Sequence, residues 1–229
     1  MPEPLISVVI PAHNGEAFLD QAIESALGQT WPRTEVVVVD DGSTDRSREV
    51  AASYPVTLVR QDNHGVAAAR NVGAATAKGH LLAFLDQDDI FLPEKLERQC
   101  GALRAAPEAG ICTCRMRIFL EPGCTQPRWI YPDLLDADHR WFQVATMLMW
   151  RRTFEQVGPF DESYQWGNDA DWFMRAREAD VPITMLDESL VRHRVHDHNE
   201  SRWEEPILRE ALRVFRTAVH RKRGGVPDG

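Results

Sequence analysis

The chain has 229 residues, of which 43% are hydrophobic, and its formal net charge is −9. This hydrophobic fraction is typical of a folded globular protein with one sizeable core, and it excludes intrinsic disorder. The negative charge disfavours nucleic acid as a general partner, because phosphate binding requires a basic surface.

Signals for export or membrane insertion are not visible in the sequence. The apolar run at residues 5–10 is too short and too rich in β-branched residues for a signal peptide. No window approaches the roughly 18 consecutive apolar residues of a membrane-spanning helix. The cysteines form no CxxC pair and lack the histidine spacing of a zinc site. We therefore expect a cytoplasmic protein with reduced thiols.

Strand-like and helix-like segments alternate over the first 105 residues. Strands are predicted at residues 5–10, 35–39, 56–59 and 80–85, and helices at residues 16–27, 45–53, 65–77 and 93–103. Pro11 is expected to end the first strand, because proline has no N–H group for a sheet hydrogen bond. The alternation predicts an α/β fold, with a Rossmann-like, mostly parallel sheet flanked by helices.

The alternation of strands and helices ends after residue 105. Residues 121–145 are rich in Pro, Trp and Asp, and we expect them to form loops. Further helices are predicted at residues 151–157, 169–178 and 203–222. We expect a single domain over residues 1–229.

Polar, turn-forming residues follow three of the predicted strands. Ligands bind at the carboxyl ends of the strands in an open parallel sheet. Like charges gathered there destabilise a site unless a cation joins them, and Mg²⁺ or Mn²⁺ is the simplest choice. For Asp40, turn formation explains the residue equally well. The carboxylates expected at this edge are Asp40, Asp41, Asp86, Asp88 and Asp89.

Two common classes of nucleotide-binding protein are excluded, because the sequence lacks the motif that is typical of each. The first strand is followed by AHNGEAF, which lacks the G-x-G-x-x-G turn of dinucleotide-binding proteins. The phosphate-loop pattern G-x-x-x-x-G-K-[ST] is also missing. An enzyme and a nucleotide-binding module without catalysis both remain compatible with the strand-end carboxylates.

Six segments of the chain together resemble the family 2 inverting glycosyltransferases with the GT-A fold. They occur in the family's order, cover most of residues 5–201, and read SVVIPAHNGEAFLDQAIESALGQT, VVVVDDGSTD, NHGVAAARNVGAATAKGHLLAFLDQDD, RRTFEQVGPFDE, NDADWFMR and RHRVHDHNES. The resemblance implies transfer of a sugar from a nucleotide-sugar donor, with a UDP-sugar favoured, to an acceptor that the sequence does not identify. It also implies a nucleotide-sugar-binding half at residues 1–105 and an acceptor-binding half at residues 106–202, followed by a C-terminal helix and tail at residues 203–229. A catalytically silent nucleotide-sugar-binding module is the alternative.

The resemblance implies a role for each matching residue of the first half. Asp41 would accept a hydrogen bond from the nucleobase, and Gly65 would let the backbone approach the donor. Asn71 would brace that loop, although a helix-surface asparagine is an alternative. In the triplet Asp86-Gln87-Asp88, which matches the family's DxD motif, Asp86 would hold the ribose and Asp88 would bind the metal. The residues implied to line the nucleobase and ribose are Pro11, Ala12, His13 and Asn14. A surface-loop role is the alternative for His13.

In the second half, the resemblance implies that Asp169 is the general base. The alternative is a helix N-terminal charge, and Asn168 replaces an acidic residue of the commoner pattern. His196 would approach the metal, Mn²⁺ or Mg²⁺, or the diphosphate. Arg194 or Arg192 would face a phosphate. Asp89 is expected to cap a helix, and His193 and His198 are expected to be incidental.

The last predicted helix carries one apolar stripe and a basic C-terminal half. In one interpretation the stripe packs on the domain and the basic end complements the helix dipole. In the other, the helix lies on an anionic membrane surface. Three glutamates dilute its basic character, so we expect the first interpretation and a soluble protein. The stripe consists of Ile207, Leu208, Ala211, Leu212, Phe215 and Val219.

Overall fold

The computed structural model describes residues 3–127, 130–135, 137–140, 143–199 and 204–222. Residues 200–203, where the sixth matching segment ends and the last helix was predicted to start, lie outside this range. The strands and helices, in chain order, are β1 (Ile6–Ala12), α1 (Leu19–Leu27), β2 (Thr34–Asp41), α2 (Ser47–Ala52), β3 (Thr57–Gln61), α3 (Val66–Thr76), β4 (Leu81–Phe84), β5 (Ile90–Phe91), α4 (Lys95–Ala105), β6 (Ile111–Leu120), β7 (Asp138–His139), β8 (Met147–Trp150), α5 (Arg151–Val157), α6 (Asn168–Glu178), β9 (Ile183–Val195) and α7 (Glu204–Lys222).

The strands form one sheet in the order β3-β2-β1-β4-β8-β6-β9-β5, and β7 pairs with β6. Strands β1 to β4 are parallel to one another. Strand β8 is antiparallel to both of its neighbours, and β6 and β9 are parallel to each other. The predicted α/β fold class with helices flanking the sheet is confirmed. The strands after residue 105 were not predicted, because β6 and β9 carry arginines that interrupt their apolar pattern.

The prediction that Pro11 ends the first strand is wrong, since β1 continues to Ala12. The N–H group of Ile6 donates to a carbonyl on the β2 side, whereas the carbonyl of Val9 accepts on the β4 side. These sides alternate along a strand, so the nitrogen of Pro11 faces β4. The pairing of β4 with β1 ends at Val9. The missing N–H group of Pro11 therefore removes no sheet hydrogen bond.

Apolar layers cover both faces of the sheet. Helices α1 and α4 pack on one face, and α3 and α6 pack on the other. Helix α3 is rich in small residues because it lies very close to the sheet. A Cβ atom added to Gly73 would lie 2.2 Å from a methyl carbon of Val9. This close approach brings the start of α3 beside the carboxyl ends of β1 and β2.

The prediction that the apolar stripe of the last helix packs on the domain is wrong. Helix α7 is bound to the rest of the protein through Val214 and Ala218, which are buried, whereas Leu208, Leu212 and Phe215 are exposed. Hydrogen bonds of Glu210 and an ion pair of Arg221 with the rest of the protein determine this rotation of the helix. None of the described helices combines the length and the apolar character that a membrane span requires.

Candidate active site

The loops after β1 and β4 are joined by Gln87. The backbone N–H of His13 donates to Gln87 Oε1 at 2.8 Å, and Gln87 Nε2 donates to the His13 carbonyl at 3.1 Å. A Cβ atom added to Gly15 would lie 2.3 Å from Gln87 Oε1, so a larger residue there would displace the Gln87 side chain from this position. Pro11 and Ala12 are buried under this loop, and His13 is exposed at the edge of the sheet.

Asp41 organises the loop between β3 and α3. Its Oδ1 accepts from Gln61 Nε2 at 2.7 Å and from the N–H of His64 at 2.9 Å. Its Oδ2 accepts from the N–H of Gly65 at 2.9 Å. Gly65 has a φ of 89°, a left-handed conformation that glycine adopts at no steric cost. Asp41 therefore shapes the surface beside His13, and a contact of Asp41 with a nucleobase stays a prediction.

Asn14 and Asp40 hold the turn that follows β2. The Oδ1 of Asn14 accepts from the N–H of Thr44 at 2.9 Å, and its own N–H donates to Ser43 Oγ at 3.1 Å. Asp40 accepts from the N–H of Ser43 at 3.0 Å. The structure thus uses Asp40 in a turn, the alternative that its position after a strand left open.

Arg70 connects the two halves of the candidate site. It is 5% exposed. Its Nη2 donates to Asp86 Oδ1 at 2.6 Å, and its Nη1 donates to Asn168 Oδ1 at 2.6 Å. Arg70 was not among the predicted site residues, although an arginine in a helix of mostly small residues could have indicated a functional role. Asn71 acts nearby, where its amide bonds to the backbone of Phe160 and braces the chain before α6.

Asp169 lies in the first turn of α6, directly after Asn168. Its side chain is partly exposed but surrounded by protein, and it accepts from the N–H of Ala170 at 2.7 Å. Burial raises the pKa of Asp169, the charge of Arg70 opposes the rise, and Asp86 adds to it. Asp171 is instead buried and bonded to Arg175 at 2.7 Å, which makes it structural.

Asp88 holds the segment that follows β9. Its Oδ2 lies 3.0 Å from His196 Nε2 and accepts from Asn199 Nδ2 at 2.9 Å. The ring of His196 lies against Phe18, with centroids 4.6 Å apart. The Nδ1 of His196 accepts from the N–H of His198, so the Nε2 proton is donated to Asp88.

Asp88 and His196 fit a divalent ion. A carboxylate oxygen is a ligand that Mg²⁺ and Mn²⁺ prefer, and Nε2 of His196, which could be a second ligand, lies 3.0 Å from Asp88 Oδ2. An ion held at Nε2 would require that nitrogen to be free of the proton that it now donates to Asp88. Within the part of the chain that the structure describes, no three His, Cys, Asp or Glu side chains converge as a metal site. These residues therefore fit an ion that a diphosphate and water help to hold.

The predictions that Asp89 caps a helix and that His193 is incidental are wrong. Asp89 is fully buried, and it bonds to His193 Nδ1 at 2.9 Å and to the N–H of Arg194 at 3.0 Å. Burial raises the pKa of Asp89 to about 6. Burial opposes protonation of His193, but the Asp89 carboxylate outweighs it and raises the pKa of His193 to about 9. This ion pair ties the end of β9 to the loop that carries Asp88.

The side chain of Arg194 is buried and forms hydrogen bonds within the protein. It is 3% exposed, its Nε donates to the carbonyl of Asp88 at 2.9 Å, and its other two nitrogens donate to Glu121 and Gln21. Its guanidinium also lies over the ring of Phe18, 4.6 Å from the centroid. The structure therefore supports a positioning role for Arg194, which holds Asp88, in place of the predicted phosphate contact.

Glu210 on α7 binds the backbone just before α6. Its carboxylate accepts from the N–H groups of Gln165 at 3.0 Å, Trp166 at 2.7 Å and Gly167 at 2.8 Å. These three donors precede Asn168, so the last helix of the chain fixes the segment that carries Asp169. In the sequence, Glu210 was interpreted only as one of the three glutamates that dilute the basic character of this helix.

Changing Glu210 to Gln is expected to lower kcat by about tenfold with little change in the KM for the donor. The amide keeps the size of the side chain, but its NH₂ group faces a backbone donor, which loosens the segment before Asp169. Steady-state kinetics and the midpoint of thermal unfolding measure the effect. Glu155→Gln, the same change at an exposed position of α5, is the control. A large rise in KM with unchanged kcat would contradict this positioning role.

The fold and these contacts define a GT-A type protein, with Asp86 and Asp88 at a strand end and Asp169 at a facing helix start. The family model for glycosyl transferase family 2 matches residues 7–171. The chain therefore belongs to glycosyltransferase family 2.

Relatives and solved structures agree with this family. An uncharacterized glycosyltransferase of Rickettsia typhi is 30% identical over an alignment of 208 residues that covers 85% of this chain and 65% of that protein. An uncharacterized glycosyltransferase of a Nostoc species is 33% identical over 85% of this chain and 66% of its own length. This chain thus spans about two thirds of these relatives.

Two solved structures share the fold at low sequence identity. S. aureus TarS 1–349 in complex with UDP-GlcNAc has a TM-score of 0.73 and 20% identity, over 94% of this chain and 66% of that one. The mannosyltransferase PcManGT from Pyrobaculum calidifontis, in complex with GDP-Man and Mn²⁺, has a TM-score of 0.74 and 19% identity, over 96% and 65%.

Proposed function

We propose that this chain is an inverting glycosyltransferase that moves a sugar from a nucleoside diphosphate sugar to an acceptor with the help of Mn²⁺ or Mg²⁺. The observation that carries the proposal is the bridge through Arg70. Its two hydrogen bonds of 2.6 Å join Asp86, at the end of β4, to Asn168, beside Asp169. A donor held at the strand end would therefore have a carboxylate next to its reacting carbon.

Asp169 is the proposed general base. Inversion in one displacement needs one base, which takes the proton of the acceptor as the acceptor attacks the anomeric carbon. Burial raises the pKa of Asp169, which makes it a better proton acceptor once it is ionised. Arg70 supports its anionic form. Because Asn168 is neutral, it accepts from Arg70 without placing a second negative charge beside Asp169.

Asp88 and His196 are proposed to hold the divalent ion, and Asp86 is proposed to hold the ribose and orient the ion. The ion would neutralise the diphosphate as it leaves. The protein contributes the positions of these groups, since His193 and Arg194 fix Asp89 and the carbonyl of Asp88. The backbone at the end of the DxD triplet is thus fixed by buried partners, through the carbonyl of Asp88 and the carboxylate of the neighbouring Asp89.

The loops around Asp41 are proposed to bind the nucleoside. His13 and Asn14 are exposed beside the ordered loop that ends at Gly65, so they are available to a base and ribose. A carboxylate acceptor such as Asp41 suits the imide N–H of uracil and also the N1–H of guanine. TarS, solved with UDP-GlcNAc, and PcManGT, solved with GDP-Man, carry both nucleotides on this fold. We favour a UDP-sugar.

Turnover of a donor panel tests the proposal. Purified protein is incubated with UDP-, GDP- and dTDP-sugars, with Mn²⁺, Mg²⁺ or EDTA, and with a panel of saccharide acceptors. The measured quantities are donor binding by calorimetry and released nucleoside diphosphate. We expect binding and release with one nucleotide class and only with the metal. Tight donor binding without any release over the panel would favour a silent binding module instead.

A further inference from the structure

The outer face of α7 is an apolar stripe that the described protein does not cover. Leu208, Leu212 and Phe215 are 63%, 51% and 62% exposed, respectively. At about 100° per residue they lie within about 60° of one another on the helix. Three large apolar side chains on one exposed helix face mark a contact surface.

Cations lie on both sides of this stripe. Arg209 and Arg216 follow one edge, and Lys222 lies on the other, as helical geometry places them; all three are exposed. From Leu212 to Lys222 the helix contains neither Asp nor Glu, and of its four Lys or Arg residues Arg216 and Lys222 border the stripe, whereas Arg221 pairs with Asp171 and Glu178 on the protein side. This composition contrasts with the net charge of −9 for the whole chain.

The helix is held so that the stripe faces outward. Glu210 binds three backbone N–H groups, and Arg221 pairs with Asp171 at 3.0 Å and with Glu178 at 2.7 Å. Both anchors lie on the face that also carries buried Val214. Rotating the stripe towards the core would break these bonds, so the stripe must find its partner outside the described protein.

We propose that this face of α7 binds an anionic lipid surface. An apolar stripe flanked by cations is complementary to a bilayer, in which the stripe meets the acyl boundary and the arginines meet phosphate headgroups. A second copy of the chain fits this face less well. In an antiparallel helix pair the same edges meet, so the arginine edges of two copies would repel each other.

The helix that carries this surface is bonded to the segment of the candidate base, because Glu210 on its opposite face accepts from the N–H of Gly167, which precedes Asn168. If the proposed transferase function holds, on which this consequence rests, the acceptor is presented at a membrane and is lipid-linked. Binding to lipid itself requires no turnover and is measured independently of it.

Vesicle co-sedimentation tests the lipid surface. The full chain is mixed with phosphatidylcholine vesicles, or with phosphatidylcholine–phosphatidylglycerol vesicles, at physiological salt. Two double variants are compared with wild type: Leu212→Glu with Phe215→Glu, and Arg216→Glu with Lys222→Glu. The matched controls are Leu27→Glu, at an exposed leucine of α1, and Arg104→Glu, at an exposed arginine of α4. Circular dichroism establishes that each variant is folded.

We expect wild type and both controls to bind the anionic vesicles, with weak binding to phosphatidylcholine alone. Each double variant should bind about tenfold or more weakly. Failure of wild type to sediment with anionic vesicles would overturn the proposal, as would unchanged binding of the double variants. A wild-type dimer in light scattering, dissociated by the Leu212 and Phe215 changes and without affinity for vesicles, would assign the face to a second copy.

Discussion

Replacing Asp169 by Asn is expected to lower kcat by about 10²-fold or more while donor affinity is largely kept. The amide preserves the shape of the side chain and its place at the start of α6, but it cannot take a proton. Single-turnover kinetics with saturating donor measures the chemical step, and calorimetry measures donor affinity. Asp180→Asn, at an exposed position just after the end of the same helix, is the matched control.

The pH dependence of wild type supports the same test. Asp169 must be ionised to act as a base, and burial raises its pKa above the ordinary value of 3.8. Activity should therefore fall with decreasing pH at a higher pH than an exposed aspartate would give. This fall should be missing from the residual activity of Asp169→Asn. If donor affinity collapses and the chemical step is intact, Asp169 belongs to donor binding or to structure.

Replacing Asp88 by Ala is expected to abolish nearly all turnover and to weaken metal-dependent donor binding. Asp88 Oδ2 forms a pair of candidate metal ligands with His196 Nε2, 3.0 Å away, and it also accepts a hydrogen bond from Asn199. The alanine variant loses both functions. Asp88→Asn separates them, because its amide oxygen still accepts a hydrogen bond but its charge is gone.

We expect Asp88→Asn to remain folded and to lose about 10²-fold or more in kcat/KM. Donor titrations with and without Mn²⁺ should show that the metal no longer improves its affinity. Asp62→Ala, at an exposed loop position after β3, serves as the control. Wild-type protein that is fully active in EDTA would rule out the metal role of Asp88.

Several features of the site were predictable because they depend on short segments. A strand followed at once by Asp86-Gln87-Asp88 places carboxylates at the edge of a parallel sheet whatever else the chain does. Asp169 was identified through its resemblance to a family segment, and the structure has it at the N-terminus of α6, where the helix was expected. The side chains that hold these residues in place were harder to predict from the sequence.

Arg70, Asp89, His193 and Glu210 act through residues far away in the chain. The bond between Arg70 and Asn168 spans 98 positions, and the bond between Asp89 and His193 spans 104. Periodicity and turn chemistry report only on neighbours, so a buried charge looks the same in sequence as a surface charge. Asp89 directly precedes β5, and its burial depends on the pairing of β5 with β9, which the sequence did not predict.

In helix α7 the local sequence determined some features, and tertiary contacts decided the others. Its sequence determined that a helix forms and that its apolar residues share one stripe, since both follow from a repeat of 3.6 residues. Which side of the helix faces the protein was decided by tertiary contacts, the three backbone groups on Glu210 and the carboxylates on Arg221. With these bonds in place, Leu208, Leu212 and Phe215 stay exposed. For the chain as a whole, local pattern determined the elements of the α/β fold and the carboxylates at its edge, while long-range charge pairing decided how those carboxylates are held.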